Sequence, residues 1–188
     1  MIKKKSTSDK ERLKRKINKA FLSGNFILSS GGKSNFYFDC RLVTLDQEGA
    51  MLSAKMLLDK IRKAKATAVG GITLGADPIV STIGLLAYQK KYPLKLFYVR
   101  KEQKTHGTCR QIEGPQLKTK DKVAVIEDVV TSGRSALVAC DAVKKEAACK
   151  IVGVFAVLDR LEGGRAAIEA AGYPLHALFT ADDFKRKR

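Results

Sequence analysis

Short and almost wholly apolar runs alternate with amphipathic segments from residue 66 to near the end of the chain. The apolar runs, which we predict to be strands, cover 66–74, 94–100, 121–130, 150–160 and 175–180. Segments with helical spacing separate most of them, at 75–91, 135–147 and 166–172. Strands this uniformly apolar lack a wet face, so they belong to a parallel sheet that is covered on both sides. The pattern predicts an α/β doubly wound fold, with a central, mostly parallel sheet and helices on both faces.

Two further helices are expected ahead of this alternation. One covers 10–22 and places Leu13, Ile17, Phe21 and Leu22 on one face, and the other covers 50–64. The length of 188 residues suits a single domain, and we expect one domain over 1–188.

The net charge of +17 is concentrated at the two ends of the chain. Residues 1–20 contribute +7 and residues 185–188 contribute +4, so the body is only moderately basic. We interpret about 1–20 and 185–188 as basic, mobile ends that stay in water, and we regard nucleic acid as an unlikely partner. A binding surface formed by these ends is the alternative.

The cysteines argue against a structural zinc site. Cys40, Cys109, Cys140 and Cys149 form no CxxC pair and no Cys/His set at metal spacing. No apolar run approaches the ~20 residues that a membrane span needs, and the N-terminus lacks the apolar region of a signal peptide. We therefore expect a cytoplasmic protein with reduced thiols and no membrane association.

The stretch VAVIEDVVTSGRSA, residues 123–136, carries the strongest functional signal. Ligands of parallel sheets bind outside the carboxyl ends of the strands, where Glu127 and Asp128 leave this strand. The turn 131–135 then enters a helix, whose N-terminal N–H groups suit a phosphate. Two acids beside a phosphate must hold something else, and ribose hydroxyls or a hydrated Mg²⁺ are the natural candidates. Neighbouring strand residues point to opposite faces, so the two acids have different roles.

A purely structural interpretation of the same stretch remains open. The turn would then be a helix cap and the acids a solvated strand end. Neither GxxxxGK[ST] nor GxGxxG occurs in the chain, so a Walker A loop and a dinucleotide fingerprint are both absent.

The stretch VAVIEDVVTSGRS resembles the ribose-phosphate loop of the type I phosphoribosyltransferases. Other segments narrow the resemblance to the orotate phosphoribosyltransferases, whose catalytic loop carries RKExKxHG, whose N-terminal segment reads FxLxSGxxSxYYxD, and which have a DRxEGG strand end. The matching segments here are VRKEQKTHGTCRQIEG (99–114), FILSSGGKSNFYFD (26–39) and VLDRLEGGR (157–165). GGITLGADPIV (70–80) is similar to the diphosphate-side loop of some members. The segments occur in family order and cover the chain from about residue 20 to 184.

The resemblance implies a type I phosphoribosyltransferase fold with a small N-terminal hood, and transfer of ribose 5-phosphate from phosphoribosyl diphosphate to orotate. Glu127 and Asp128 would hold the ribose hydroxyls, with Asp128 also catalytic. Mg²⁺ would be the cofactor, carried mainly by the diphosphate, with Asp128 reaching it through water and no protein metal site. The 5-phosphate would lie in the loop formed by Val129, Val130, Thr131, Ser132, Gly133, Arg134 and Ser135.

The same resemblance assigns the cationic loop to the diphosphate. Arg100, Lys101, Lys104 and His106 place four potential cations within seven residues, which suits a dense anion. In the family this loop acts across a dimer interface. The resemblance therefore implies a homodimer with shared active sites, in which Lys104 and His106 are catalytic residues of the neighbouring site.

For orotate, Arg160 matches the position that pairs with the substrate carboxylate, and Thr131 matches a position beside the ring. Tyr37 and Phe38 would pack beside the ring, or would belong to the core. His176 has no partner motif, and we expect it to be structural.

Departures from the family pattern occur at Ser29, where some members have Lys, at Arg134 in the phosphate turn and at Cys109 in the cationic loop. Two other functions remain as alternatives. One is a phosphoribosyltransferase for another base, and the other is an RNA-binding regulator on the same fold, which the basic ends would favour.

Overall fold

The computed structural model describes residues 7–27, 33–102 and 110–184. Its helices are α1 (Asp9–Lys19), α2 (Arg41–Thr44), α3 (Gln47–Lys63), α4 (Asp77–Gln89), α5 (Arg134–Ala147) and α6 (Gly164–Ala170). Its strands are β1 (Phe21–Ile27), β2 (Lys33–Phe38), β3 (Ala68–Ile72), β4 (Lys95–Val99), β5 (Ile112–Glu113), β6 (Lys122–Val130), β7 (Lys150–Asp159) and β8 (Leu175–Thr180). A 3-10 turn, Ala181–Asp183, follows β8.

The central sheet has six strands in the order β5-β4-β3-β6-β7-β8. The neighbouring strands from β4 to β8 pair in parallel, and only the two-residue strand β5 runs antiparallel to its neighbour. Strands β1 and β2 form a separate antiparallel pair at the N-terminal end. The structure confirms the predicted α/β fold with a mostly parallel sheet, and β1 and β2 supply the hood.

Helices cover both faces of this sheet, as the apolar strands require. Ala124 and Ile126 of β6 belong to a hydrophobic cluster with residues of α1, α3 and α4. Val123 and Val125 belong to a second cluster with residues of α5 and α6. Successive side chains of a strand point to opposite faces, so one strand contributes to both layers of the core.

The basic helix α1 packs against the body of the domain. Its Leu13 and Ile17 are fully buried, and the side chain of Ser8 caps its first turn by accepting a hydrogen bond from the Glu11 N–H at 3.2 Å. Arg12 forms an ion pair with Glu48 of α3. This part of the basic N-terminal end is therefore a packed helix, whereas residues 1–6 and 185–188 lie outside the described residues.

The predicted helix over 10–22 is too long at its C-terminal end. Phe21 and Leu22 open β1, where Phe21 pairs with Phe38 of β2, and the two phenyl rings lie 6.1 Å apart. The cross-strand pairing of these aromatic side chains outweighs continuation of the helix.

The second predicted helix, 50–64, corresponds to α3, which begins three residues earlier, at Gln47. Asp46 caps it, since its carboxylate accepts a hydrogen bond from the Gly49 N–H at 2.8 Å. Among the described residues, none of the helices is both long enough and apolar enough to cross a membrane.

Candidate active site

The turn between β6 and α5 forms a cavity at the carboxyl edge of the sheet, where the sequence predicts a phosphate site. Strand β6 ends at Val130, and α5 begins at Arg134 after the turn 131–133. The cavity has a volume of about 370 Å³. Its walls come from the strand end, the turn and the first residues of the helix: Glu127, Val129, Val130, Thr131, Ser132, Gly133, Arg134, Ser135 and Ala136. The structure thus brings together every residue that the sequence assigned to the phosphate loop.

Gly133 fixes the shape of this turn. It precedes α5 with a φ of 79°, in the left-handed region that glycine adopts without strain. A methyl group at this position would lie 2.9 Å from the carbonyl oxygen of Gly164. Among the described side chains none caps the helix. Its first residues line the cavity, where their N–H groups carry the positive end of the helix dipole.

Glu127 lies inside the cavity wall with its side chain toward α5. Its carboxyl oxygen Oε1 is buried and has no hydrogen-bond partner within the described parts of the chain. Burial raises the pKa of Glu127 well above its ordinary value, and repulsion from Asp128 adds to the shift. On the same side, burial raises the pKa of the Cys140 thiol of α5 to about 12, with the charges of Asp141 and Glu127 contributing. Glu127 is therefore a desolvated acid beside the phosphate turn.

Asp128 faces the other side of β6, toward the loop after β3 and the N-terminal part of the chain. A methyl group at Gly75 would lie 2.8 Å from its Oδ1, so that loop approaches the carboxylate at a distance that only glycine allows. Oδ1 also accepts a hydrogen bond from the Val129 N–H at 2.7 Å. Burial raises the pKa of Asp128, and the nearby charges of Arg41 and Asp39 act in opposite directions on it. The two acids lie on different faces, as the strand alternation predicts.

The turn between β7 and α6 lies beside the phosphate turn. The Arg160 N–H donates a hydrogen bond to the Val130 carbonyl at 2.9 Å, which joins the ends of the two strands. The Arg160 side chain is 3% exposed, and its Nη2 lies 2.7 Å from Oε1 of Glu162. This arrangement places a buried guanidinium next to the cavity, already paired with a carboxylate of its own turn.

Asp159 holds this second turn in place. Its carboxylate is fully buried and accepts hydrogen bonds from the Leu161 N–H at 2.9 Å and from Arg165 Nε at 3.0 Å. Arg165 also pairs with Glu169 at 3.1 Å and donates to the Leu175 carbonyl at 3.2 Å. The turn that carries Arg160 is therefore fixed at both its beginning and its end.

The cationic loop is only partly described. Arg100 and Lys101 are exposed, and Arg100 Nε lies 2.7 Å from Glu113 Oε1. Lys104, His106 and Cys109 lie outside the described residues, as does Ser29. The predicted cluster of four cations therefore remains a prediction.

The two aromatic residues that were expected beside the orotate ring, Phe38 and Tyr37, have different outcomes. Phe38 is 5% exposed and packs against Phe21 and Phe184, with ring centroids 6.1 and 5.8 Å away, so the structure assigns it to the core rather than to a ligand wall. The backbone of Tyr37 pairs with Leu22, and its side chain is outside the description. His176 stacks on Phe155 at 4.9 Å, which agrees with a structural role. Burial lowers the pKa of His176, with Lys60 and Arg165 adding to the shift.

Several residues near the site were not singled out from the sequence. Arg41 and Asp39 form a two-bond ion pair at 2.9 and 3.2 Å whose charges reach Asp128, and Glu162 pairs with Arg160. Gly75 allows the close approach to Asp128. Gly75, Asp39 and Glu162 lie inside the family-like segments 70–80, 26–39 and 157–165, and Arg41 follows the second of these by two residues. Their location in or next to these segments was the only feature of the sequence that could have pointed to them.

Comparison with known proteins gives a consistent result, although no family model matches the chain. The chain is 46% identical over 175 residues to the orotate phosphoribosyltransferase of Aquifex aeolicus, covering 91% of this chain and 94% of that protein. It is 41% identical to the orotate phosphoribosyltransferase of Synechocystis, covering 89% of this chain and 83% of that protein.

Among solved structures, it resembles the Mycobacterium tuberculosis orotate phosphoribosyltransferase in complex with 5-phospho-α-D-ribosyl 1-diphosphate. The TM-score is 0.77 and the identity 30%, over 94% of this chain and 99% of that chain. Identity at this level over nearly the whole length, together with the cavity at the end of β6, shows that the chain belongs to the orotate phosphoribosyltransferase family.

Proposed function

We propose that this protein transfers the ribose 5-phosphate group of phosphoribosyl diphosphate to orotate, giving orotidine 5′-monophosphate and diphosphate in pyrimidine (UMP) synthesis. The observation that carries this proposal is the position of one cavity, which has the uncapped N-terminus of α5 as its floor, Glu127 in its wall and the turn of Arg160 beside it. These features provide an anion site, a sugar site and a carboxylate partner within one edge of the sheet.

The 5-phosphate binds in the turn of β6 and α5. The first N–H groups of the helix and the hydroxyls of Thr131, Ser132 and Ser135 are its donors, and the left-handed Gly133 keeps the backbone close to the phosphate oxygens. Arg134 is exposed at the helix start and adds a positive charge to the same turn.

Glu127 and Asp128 bind the ribose. Burial raises the pKa of both acids, and hydroxyl groups that donate to the carboxylates replace the water that burial removes, which favours the ionised form when the sugar is present. During transfer the bond from C1 of the sugar to diphosphate breaks, the ring gains oxocarbenium character, and N1 of orotate forms the new bond while its proton passes to solvent. Two fixed negative charges near the ring stabilise the positive charge that develops there. The reaction needs no protein nucleophile, because positioning and electrostatics supply the catalysis.

The residues at the end of β6 fit Mg²⁺ as a cofactor shared with the substrate. The described residues hold no group of three or more His, Cys, Asp or Glu side chains that would bind a metal by themselves. Mg²⁺ commonly binds one or two carboxylates together with substrate phosphates, and Asp128 is a half-buried carboxylate at the right edge of the sheet. The ion supplies Lewis acid chemistry at the diphosphate.

Orotate differs from the other pyrimidine bases by its carboxylate. Arg160 binds this group, since a buried guanidinium matches a carboxylate in both charge and geometry. Thr131 lies where the two turns meet and contacts the ring.

The diphosphate is neutralised by Arg100, Lys101, Lys104 and His106, and we propose that Lys104 and His106 reach the site of a second copy. A homodimer agrees with the apolar side chains exposed on and before α4, which are Leu74, Leu85 and Tyr88. Leu85 and Tyr88 are three residues apart on α4 and so share one helix face, and grouped exposed apolar side chains commonly mark a protein interface.

The basic charge does not require a nucleic acid. Lys16 of α1 pairs with Asp46 at 2.6 Å and with Glu48 at 3.0 Å, so acids of the same domain neutralise part of the basic helix. Cys40, Cys140 and Cys149 are buried and free, which agrees with a cytoplasmic location.

The deciding experiment is an assay of diphosphate release by the purified protein with Mg²⁺ and phosphoribosyl diphosphate. We expect release with orotate and none above background with uracil, adenine, guanine or hypoxanthine. Release with one of the other bases instead of orotate would reassign the substrate. Steeply salt-dependent RNA binding without any release would favour the regulator alternative.

A further inference from the structure

The guanidinium of Arg160 already has a carboxylate partner in the substrate-free protein. Arg160 is 3% exposed and Glu162 is 29% exposed, and Nη2 of the first lies 2.7 Å from Oε1 of the second. The proposed function gives the same guanidinium to the carboxylate of orotate. Two carboxylates therefore compete for one buried cation.

We propose that Glu162 is an internal counterion that occupies Arg160 at rest and is displaced by the carboxylate of orotate. This inference rests on the proposed function. A buried cation without a partner is unfavourable, so the empty site requires a carboxylate near Arg160. Glu162 meets that requirement and leaves when the substrate brings its own carboxylate.

The construction of the turn decides which partner moves. The fully buried Asp159 binds the Leu161 N–H and Arg165, which fixes the backbone on both sides of Arg160 and Glu162. The Arg160 side chain is almost fully buried, whereas Glu162 is partly exposed already. A methyl group at Gly163 would meet nothing within 4 Å, so the space next to Glu162 is open. Glu162 turns into solvent at little cost while Arg160 stays in place.

This exchange gives the site a means of rejecting neutral bases. A base without a carboxylate cannot replace Glu162, so it gains nothing from the Arg160 charge. When orotate binds, its ion pair with Arg160 replaces the pair between Arg160 and Glu162. Because that first pair must break, orotate binds less tightly than it would to an Arg160 without Glu162. Glu162 is thus a specificity residue that acts through Arg160.

The test compares two product nucleotides that differ only in the carboxylate, orotidine 5′-monophosphate and UMP. Their affinities for the wild type and for Glu162→Gln are measured by titration calorimetry. We expect Glu162→Gln to bind orotidine 5′-monophosphate about fivefold more tightly, since a competing ion pair is removed. Binding of UMP should stay within about twofold, and the KM for orotate should fall while the KM for phosphoribosyl diphosphate does not.

Glu169→Gln is the matched control, because Glu169 pairs with Arg165 at 3.1 Å on the surface of α6 and lies outside the cavity. It should leave both nucleotide affinities unchanged. Unchanged or weaker binding of orotidine 5′-monophosphate by Glu162→Gln would overturn the inference and make Glu162 a residue that merely orients Arg160.

Loss of the counterion lowers the stability of the empty protein, and the thermal unfolding midpoint provides a second readout. Saturating orotidine 5′-monophosphate should raise Tm by more in Glu162→Gln than in the wild type, because the nucleotide restores the missing carboxylate. Should the Gln variant not fold, Glu162→Asp retains a shorter carboxylate and is expected to show a smaller tightening of the same sign. An equal or weaker affinity in Glu162→Asp would then count against the inference. A wild type that neither uses orotate nor binds its nucleotide would refute the proposed function instead.

Discussion

The two strand-to-helix turns of the site have the same backbone plan but different contents. The turn after β6 ends in Gly133 with a φ of 79°, and the turn after β7 ends in Gly163 with a φ of 88°. In the part of the chain that the structure describes, neither following helix is capped by a side chain. The first turn surrounds a cavity of about 370 Å³, whereas the second is filled by the ion pairs of Arg160 with Glu162 and of Arg165 with Asp159.

The difference shows two ways in which one backbone plan recognises an anion. A cavity lined by N–H groups and hydroxyls accepts any phosphoryl group of suitable size. A buried guanidinium held in a fixed turn selects a substituent with a carboxylate. The first suits the sugar phosphate that all enzymes of this reaction class share, and the second suits the base that distinguishes this family.

The largest expected effect concerns the cationic loop, to which the proposed function assigns the diphosphate. Lys104→Ala and Asp128→Asn chains should each be nearly inactive alone. If Lys104 acts in the neighbour's site, a mixed dimer has one intact site, with Asp128 from the first chain and Lys104 from the second. Random pairing makes about half of the dimers mixed, so activity should recover to roughly a quarter of the wild type.

The measurement is diphosphate release after the two variants are unfolded together and refolded. Each variant refolded alone is the control. A mixture no more active than the average of its parents would place Lys104 in the site of its own chain.

The next effect separates the two turns. Arg160→Ala should lower kcat/KM for orotate by about 100-fold, which corresponds to the loss of a hydrogen-bonded charge pair of about 3 kcal/mol. Binding of phosphoribosyl diphosphate should stay within about twofold, because Arg160 lies in the second turn only. Initial rates give kcat/KM for orotate, and titration calorimetry without orotate gives the affinity for phosphoribosyl diphosphate.

Arg160→Lys serves as the comparison variant, since it keeps the charge but loses the planar fork. Its activity should lie between those of the wild type and Arg160→Ala. An unchanged KM for orotate in the Ala variant would remove Arg160 from the substrate site, and with it the contrast between the turns.

A smaller effect tests the point where the turns touch. Gly133→Ala places a methyl group in a left-handed conformation that costs about 1–2 kcal/mol. It also places that group 2.9 Å from the Gly164 carbonyl. Both turns must then shift, and we expect the KM values for both substrates to rise about tenfold.

Gly163→Ala is its matched control, because Gly163 has a similar φ of 88° and a methyl group there meets nothing within 4 Å. It should lower Tm but leave both KM values within about twofold. Equal effects of the two substitutions would show that the backbone conformation alone, and not the contact between the turns, maintains the site.

The parts of this molecule that sequence patterns predicted are those encoded within one segment. The sheet strands were found because burial on both faces makes each of them continuously apolar. The phosphate turn was found because Gly133, its hydroxyl neighbours and the helix start lie within a few residues of one another. In both cases the signal is local and the physical requirement is strict.

The parts that sequence patterns missed depend on contacts between distant segments. β1 and β2 contain Gly, Asn and Ser and have no regular alternation, and β5 exists because two residues pair with the edge of β4. Asp128 lies near Arg41, which comes 87 residues earlier. This contact has no periodic signal in the chain.

The smallest expected effect concerns stability, and it arises in the first turn. Burial raises the pKa of Glu127, with repulsion from Asp128 adding to the shift, so the folded protein holds this proton more tightly than the unfolded chain does. Its contribution to stability is fully present below the unfolded pKa of about 4.3 and is lost as pH rises through the folded pKa. Gln has no such proton, so the Tm of Glu127→Gln minus that of the wild type should increase from pH 4 toward pH 8. Each kcal/mol corresponds to about 2–4 °C at this chain length.

The pH dependence of that difference is the quantity to measure, by thermal unfolding without ligand, because a fixed effect of burying the Gln amide shifts every point equally. Asp128→Asn should show the same sign, since burial raises the pKa of Asp128 as well. Glu127→Gln should at the same time weaken binding of phosphoribosyl diphosphate, because the ribose hydroxyls lose a carboxylate acceptor.

A Tm difference between Glu127→Gln and the wild type that decreases with pH would mean that a cation near Glu127 holds it ionised in the empty protein. The first turn would then resemble the second in carrying an internal ion pair, and the contrast between the two turns would fail.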